Sequence, residues 1–275
     1  MVAGELGRGP AVCFHSSSGD DRKCFSSRQG RRKRVSYARR IAHNDHMTSR
    51  DPLALLDTRA AGVLRRLHSA NDRQLPRNLL RLAGDLPALV LGRPRRRPPV
   101  AAERFDDAFL ALGRKQAAYC YAQARAVRAR RVVEFGTSFG VSTIWLAAAV
   151  RDNGGGTVIG TEMVPEKAER ARAHVREAGL EDHVDIRTGN ALETLRDLDG
   201  PVDLMLNDGF PDAALDVLRL VAPRLRTGAV VITDNVGAMR GDYAGYVSWL
   251  RDPVNGFVSV RVPYKGGTEV SIRVD

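Results

Sequence analysis

The stretch from Arg131 to Ala149, RVVEFGTSFGVSTIWLAAA, constrains the fold more than any other part of the chain. Val132-Val133 form an apolar run closed by Glu134. A turn bounded by Gly136 and Gly140 follows, and an apolar helical pattern opens at Val141. That order predicts a buried parallel strand feeding a helix N-terminus. Such a junction aims unpaired backbone N–H groups and the positive end of a helix at one point, which makes it a binding site. Gly136 and Gly140 let a ligand approach the main chain with no Cβ in the way. A dinucleotide site would place G-x-G-x-x-G here, but position 138 is Ser, and the Glu134 carboxylate would repel phosphate. A ligand with a cationic portion, such as an amino group, suits it better.

From Arg131 onward strands and helices alternate. The pattern predicts strands at 131–135, 157–162, 183–188, 202–207 and 228–233. Helices are expected at about 140–151, 165–178, 190–197, 211–223 and 241–251. Alternation with short connections implies an α/β fold, a doubly wound and mostly parallel sheet with helices on both faces. Val258, Val260 and Val262 are matched at period two by Val270, Ile272 and Val274, with only Pro263 to Gly267 between. This reads as a closing antiparallel hairpin and brings the sheet to seven strands.

Ligands of open α/β sheets bind beyond the carboxyl ends of the strands. The second strand ends at Glu162 and the third at Gly189-Asn190-Ala191. The fourth runs into Asp208 and the fifth into Asp234-Asn235. Adjacent strands would bring Asp208, Asp234 and Asn235 to one rim. Two carboxylates and an amide carbonyl form a hard oxygen site of the kind that suits Mg²⁺, Mn²⁺ or Ca²⁺.

Glu134-x-Gly136-x-x-x-Gly140 resembles motif I of the class I S-adenosylmethionine (SAM) methyltransferases. The run Glu-Phe-Gly-Thr-Ser-Phe-Gly-Val-Ser is most similar to the catechol O-methyltransferase-like branch. The resemblance covers about residues 101–275 and is carried by Glu134, Gly136, Gly140, Glu162, Asp208 and Asp234-Asn235. It implies a Rossmann-like methyltransferase fold with a terminal hairpin, and a SAM-dependent O-methyltransferase acting on a hydroxyl of a small molecule. In that reading Glu134 and the turn hold the methionine end, with Ser138 and Ser142 as auxiliary donors. Glu162 accepts the ribose hydroxyls, and Asn190-Ala191 borders the adenine. Asn190 explains itself equally well as a helix N-cap. Asp208 serves both cofactor and chemistry. Together with Asp234 and Asn235 it takes a divalent ion that lowers the pKa of the acceptor hydroxyl. One departure stands out. The metal-dependent branch usually carries a lysine three residues past the first metal acid, whereas this chain reads Asp208-Gly209-Phe210-Pro211. Lys265 in the hairpin is one substitute, and an acceptor that is already anionic would need no base. Tyr264, Trp249 and Phe210 are candidates to line an aromatic acceptor pocket.

The net charge of +11 invites a nucleic-acid partner. Its distribution argues otherwise, because residues 101–275 hold 22 Lys+Arg and 24 Asp+Glu, a net of −2, which leaves +13 on residues 1–100. The Asn/Asp-Pro-Pro-aromatic signature of base amino methylation is also absent. The rival readings are a nucleic-acid methyltransferase guided by the basic front and a protein that binds SAM without turning it over. Residues 1–50 are too polar to offset their ordering entropy and are expected to be a disordered basic tail, with RRKRVSYARR at 31–40. Residues 51–100 are expected to form N-terminal helices and an Arg/Pro-rich link, and 101–275 the methyltransferase domain. Asp51-Pro52 marks a helix start that His68 would end, where a cation suits the dipole. A second helix is expected within Leu75–Leu91, and a third from Ala101 to about Val127 with Phe105 and Phe109. These helices would cover the SAM site or form a homodimer surface, and the sequence does not choose. Cys13, Cys24 and Cys120 form no C-x-x-C pair, which fits a reducing, cytoplasmic setting. No apolar run is long enough for a membrane helix.

Overall fold

The computed structural model describes residues 51–81, 90–91, 111–264 and 266–275. The tail at 1–50, the link at 92–99, Phe105, Phe109 and Lys265 lie outside them.

Helices α1 (Thr58–Arg81) and α2 (Arg114–Ala126) precede the sheet. Five βα units follow: β1 (Arg131–Phe135) and α3 (Val141–Asp152), β2 (Thr157–Glu162) and α4 (Pro165–Ala178), β3 (Val184–Thr188) and α5 (Ala191–Thr194), β4 (Val202–Asn207) and α6 (Pro211–Val221), β5 (Leu225–Thr233) and α7 (Ala244–Arg251). The hairpin β6 (Phe257–Val262) and β7 (Thr268–Arg273) closes the chain. Strand order is β3-β2-β1-β4-β5-β7-β6, with β1 to β5 parallel and β7 antiparallel to both neighbours. This is the seven-stranded, doubly wound sheet expected. The order reverses between β1 and β4, where Phe135 pairs with Asn207, so the switch point lies between the glycine turn and Asp208.

The two faces have separate cores, as period-two alternation demands. Val132, Val158, Leu204, Leu206 and Ile232 meet α1 to α4, while Val133, Ile159, Met205 and Val231 meet α5 to α7. Every residue of α3 from Val141 to Val150 is buried. A helix apolar on all sides needs cover on all sides. Here α1 and α2 supply it, so Leu53, Leu64, Leu67 and Ala117 share one core with Trp145 and Leu146. Residues 51–81 therefore pack as part of the same body as the sheet.

Several boundaries differ from expectation. Asp51 caps only a short 3-10 turn, Pro52–Leu55, and α1 starts afresh where Asp57 Oδ1 accepts from the N–H groups of Arg59 and Ala60. Helix α1 then runs through Leu75 and Pro76 to Arg81; of the rest of the span expected to hold a second helix, residues 82–89 lie outside the described residues and Val90-Leu91 are helical. His68 lies mid-helix and is buried, not at a terminus. Helix α2 begins only at Arg114, after an extended Gly113. β5 starts three residues early, because a register shift between Val202 and Leu204 takes up extra residues around Gly228, whose φ is +81°. Among the described residues no helix is long and apolar enough to cross a membrane.

Candidate active site

The alternation of β1 that buries Val132 also points Glu134 into the α3 side of the sheet, where it is 0 % exposed. Its Oε2 accepts from Thr137 Oγ1 at 3.0 Å and Thr143 Oγ1 at 2.5 Å. Its Oε1 is buried with no hydrogen-bond partner. Burial pushes the carboxyl above its ordinary range, opposed by nearby hydroxyls of Ser142, Thr143 and Thr137, with the Glu162 charge adding to the rise. Room for this cluster comes from Gly160 on β2, where a Cβ would lie 2.4 Å from Thr137 Oγ1.

The turn itself is held from β2. Ser138 takes a φ of +49°, and its N–H donates to Glu162 Oε2 at 2.7 Å. The other oxygen, Oε1, accepts from Val164 N–H at 2.9 Å. Ser138 Oγ is a second buried polar atom without a partner. Phe139 packs beneath Arg170, its ring centre 4.9 Å from the guanidinium carbon, and its carbonyl pairs with His174 Nδ1 at 2.9 Å. Gly136, at φ +97°, brings the turn against the β4 tip, where a Cβ would lie 2.7 Å from the Asp208 carbonyl oxygen. Glu134, the turn and Glu162 are thus tied together at the tips of β1 and β2. At the third strand, Asn190 Oδ1 caps α5 by accepting from Leu192 N–H at 3.0 Å, and Ala191 is buried. The capping role assigned to Asn190 is present.

Asp208 is half-buried, and among the described residues no donor reaches its carboxylate. Burial, then the charges of Asp234 and Glu134, push it well above the usual carboxylate range. Asp234, 6 % exposed, is also raised by burial, against hydrogen bonds that lower it. Its Oδ2 accepts from Asn235 Nδ2 at 3.0 Å. Its Oδ1 accepts from Gln116 Nε2 and from Thr268 Oγ1, the latter at 3.4 Å. Asn235 sits at φ +60° with Gly266 against its Oδ1. Asp208 and Asp234 thus lie close enough for their charges to act on each other, and Asn235 is bonded to Asp234. Among the described residues no cluster of three His, Cys, Asp or Glu side chains fit to hold a metal is present, so any ion here would rest on two carboxylates and an amide.

The residues expected to line an aromatic acceptor pocket sit on different elements. Trp249 packs against Phe257 at 5.8 Å on the α7 side, away from the rim. Phe210 is 36 % exposed. Tyr264 stacks at 5.2 Å on Tyr119 of α2. Sequence reasoning missed Gln116, Thr268 and Gly160, and it missed Tyr243, which is buried against Tyr246 and pushed well above its ordinary range by burial and by the Asp208 charge. A lone glutamine on a helix carries no motif. Only its burial three residues into α2 marks it.

With this geometry in hand, comparison with known proteins defines the class. A family model described as a methyltransferase domain matches residues 133–236, the span from β1 to the rim. A catechol O-methyltransferase of Mycobacterium tuberculosis is 35% identical over 156 residues, covering 56% of this chain and 67% of that protein. A catechol O-methyltransferase of Niastella koreensis is 33% identical over 117 residues, covering 41% of this chain and 52% of that protein. The crystal structure of the O-methyltransferase TomG from Streptomyces achromogenes, in complex with SAM, superposes with a TM-score of 0.54 at 24% identity, over 68% of this chain and 90% of that one. The chain belongs to the class I SAM-dependent methyltransferases, in their catechol O-methyltransferase-like branch.

Proposed function

We propose that this chain transfers the methyl group of SAM to a hydroxyl oxygen of a small, aromatic acceptor, assisted by a divalent ion held by Asp208, Asp234 and Asn235. One observation carries the reading. Among the described residues, the Asp208 and Asp234 carboxylates act on each other with no cation beside them, next to a turn whose buried Glu134 Oε1 and Ser138 Oγ lack partners. Buried polar atoms are rarely left unpaired, so these two fit an ammonium and a carboxylate or hydroxyl of a guest. The carboxylate pair fits cationic charge of the sulfonium and of a hard metal ion.

Bound SAM supplies a methyl group on a sulfonium with a good leaving group, and a divalent ion supplies charge that favours an ionised hydroxyl. The chain's own residues do the placing. Glu134 and Ser138 anchor the methionine end, Glu162 keeps lone pairs free for the ribose hydroxyls, and Asn190-Ala191 borders the adenine. Displacement at a methyl carbon depends chiefly on alignment, which rigid strand tips provide. Tyr119 and Tyr264 flank the acceptor side. The net −2 of residues 101–275 supports a small acceptor and argues against nucleic acid.

Methyl-labelled SAM offered with a panel of mono- and dihydroxylated phenols, with Mg²⁺ or with a chelator, tests this. Label is expected in a phenolic ether, faster with Mg²⁺, and lost at least ~100-fold in Asp208→Asn. SAM binding without transfer to any acceptor would instead mark a protein that holds SAM without turning it over.

A further inference from the structure

The acids assigned above come from strand tips, but one of their partners comes from a helix ahead of the sheet. Gln116 lies in the first turn of α2, is 7 % exposed, and reaches a carboxylate 118 residues away in sequence. Its Nε2 donates to Asp234 Oδ1 and also to Thr268 Oγ1 at 2.8 Å. Thr268 Oγ1 in turn stands 3.4 Å from the same Oδ1. The directions are forced. An amide NH₂ has two protons and accepts nothing, so Thr268 must accept from Gln116 and turn its own proton toward Asp234. The ring closes with both amide protons used and Oδ1 holding two donors. Among the described residues Oδ2 accepts from Asn235 Nδ2 alone. A carboxylate oxygen accepts about two such bonds. Oδ1 is therefore full, and the free lone pair belongs to Oδ2.

We propose that Gln116 is a positioning residue: it locks Asp234 with Oδ1 turned inward, so that Oδ2 is the oxygen offered at the rim to a divalent cation. Helix α2 thereby becomes part of the site. The same helix carries Tyr119 one turn on, stacked against Tyr264 of the hairpin that also supplies Thr268. Two contacts thus tie α2 to the β6–β7 hairpin across Asp234. The inference rests on the metal reading of Asp208, Asp234 and Asn235.

Mn²⁺ alone serves as the probe, titrated into the full chain and followed by the loss of free-ion electron paramagnetic resonance signal. SAM affinity in the presence of chelator is measured beside it. Gln116→Ala and Thr268→Val are expected to weaken Mn²⁺ binding about 10–100-fold, the usual effect of removing a partner behind a ligand. Thr268→Ser, which keeps the hydroxyl, restores it, and SAM affinity in chelator stays at the wild-type value in all three. Should Gln116→Ala fail to fold, the Thr268 pair decides alone. Wild-type Mn²⁺ affinity in both Gln116→Ala and Thr268→Val would overturn the role of Gln116 and leave the metal reading standing. Parallel losses of Mn²⁺ and SAM affinity would overturn it too, as the mark of a collapsed rim. A wild-type chain that binds SAM and no Mn²⁺ would remove the metal reading and Gln116's part with it.

Discussion

Asp208 shows how a functional position departs from what stability alone would select. Among the described residues its carboxylate has no donor, and the charges of Asp234 and Glu134 act against it, so its charge costs free energy in the unliganded protein. Asparagine at 208 keeps the shape and removes the repulsion. Asp208→Asn is expected to raise the melting temperature of the ligand-free protein by a few degrees, on the order of 1 kcal/mol, while abolishing methyl transfer. A melting temperature that falls would show that the carboxylate is satisfied by something stabilising. Gly160 is the opposite case, a residue whose only contribution is space. A Cβ there would press on Thr137 Oγ1, one of the two donors to Glu134 Oε2. Gly160→Ala is expected to cost about 1–3 kcal/mol in denaturant unfolding and to weaken SAM binding in the same protein. The sequence displayed Glu134, Glu162, Asp208 and Asp234 because each falls at a strand end. It hid Gly160 and Gln116, whose meaning depends on which side chain lies opposite in space.

At the scale of elements, the pattern was legible wherever an apolar run met a glycine or proline. β1, β2, β4 and α4 lie at the residues their periodicity marks. The reading failed where one element borrowed its logic from another. Helix α1 continues through Pro76 because docking on α3 and α4 fixes its axis over the turns before it, so a local breaker did not end it. β5 lengthens through a bulge no propensity encodes. His68 is the clearest example. A histidine near a supposed helix end looked like a dipole cation, yet it lies in the α1–α3 interface, where Trp145 Nε1 donates to its Nε2 at 3.5 Å. Burial, with the Arg114 charge, lowers its pKa to about 4 against 6.5 unperturbed. The imidazole is therefore neutral when folded, and the unfolded chain binds the extra proton between those two values. Stability should fall as pH drops through that window, with a slope approaching roughly 1.4 kcal/mol per pH unit. Above about pH 6.5 this contribution is flat. In His68→Gln the fall attributable to residue 68 should vanish, as urea unfolding at stepped pH would show. An identical slope in that variant would assign the effect to other groups.

On the scale of the molecule, a scaffold with its switch point between β1 and β4 collects residues from five strands and α2 along one edge. The N-terminal helices do more than decorate it, since without α1 and α2 the apolar side chains of α3 that they cover would face water. Charge is divided along the sequence, +13 on residues 1–100 and −2 on the remainder. Adding RNA to the methyl-transfer assay at about 0.15 M salt is expected to leave the rate unchanged. Inhibition relieved by more salt would place nucleic acid at the site. Homodimerisation is a separate proposal, and sedimentation of the full chain decides it.

The most direct trial of the account concerns the carboxylates beside the glycine turn. Calorimetry with SAM should show one site per chain in the wild type. In Glu162→Ala, which loses the anchor on Ser138 N–H and with it the ribose contacts proposed for this carboxylate, affinity should fall about 10–100-fold, as removal of charge-assisted hydrogen bonds implies. Equal affinity in the two proteins, or no heat of binding from the wild type, would contradict the claim that strand-tip acids select an adenosyl sulfonium.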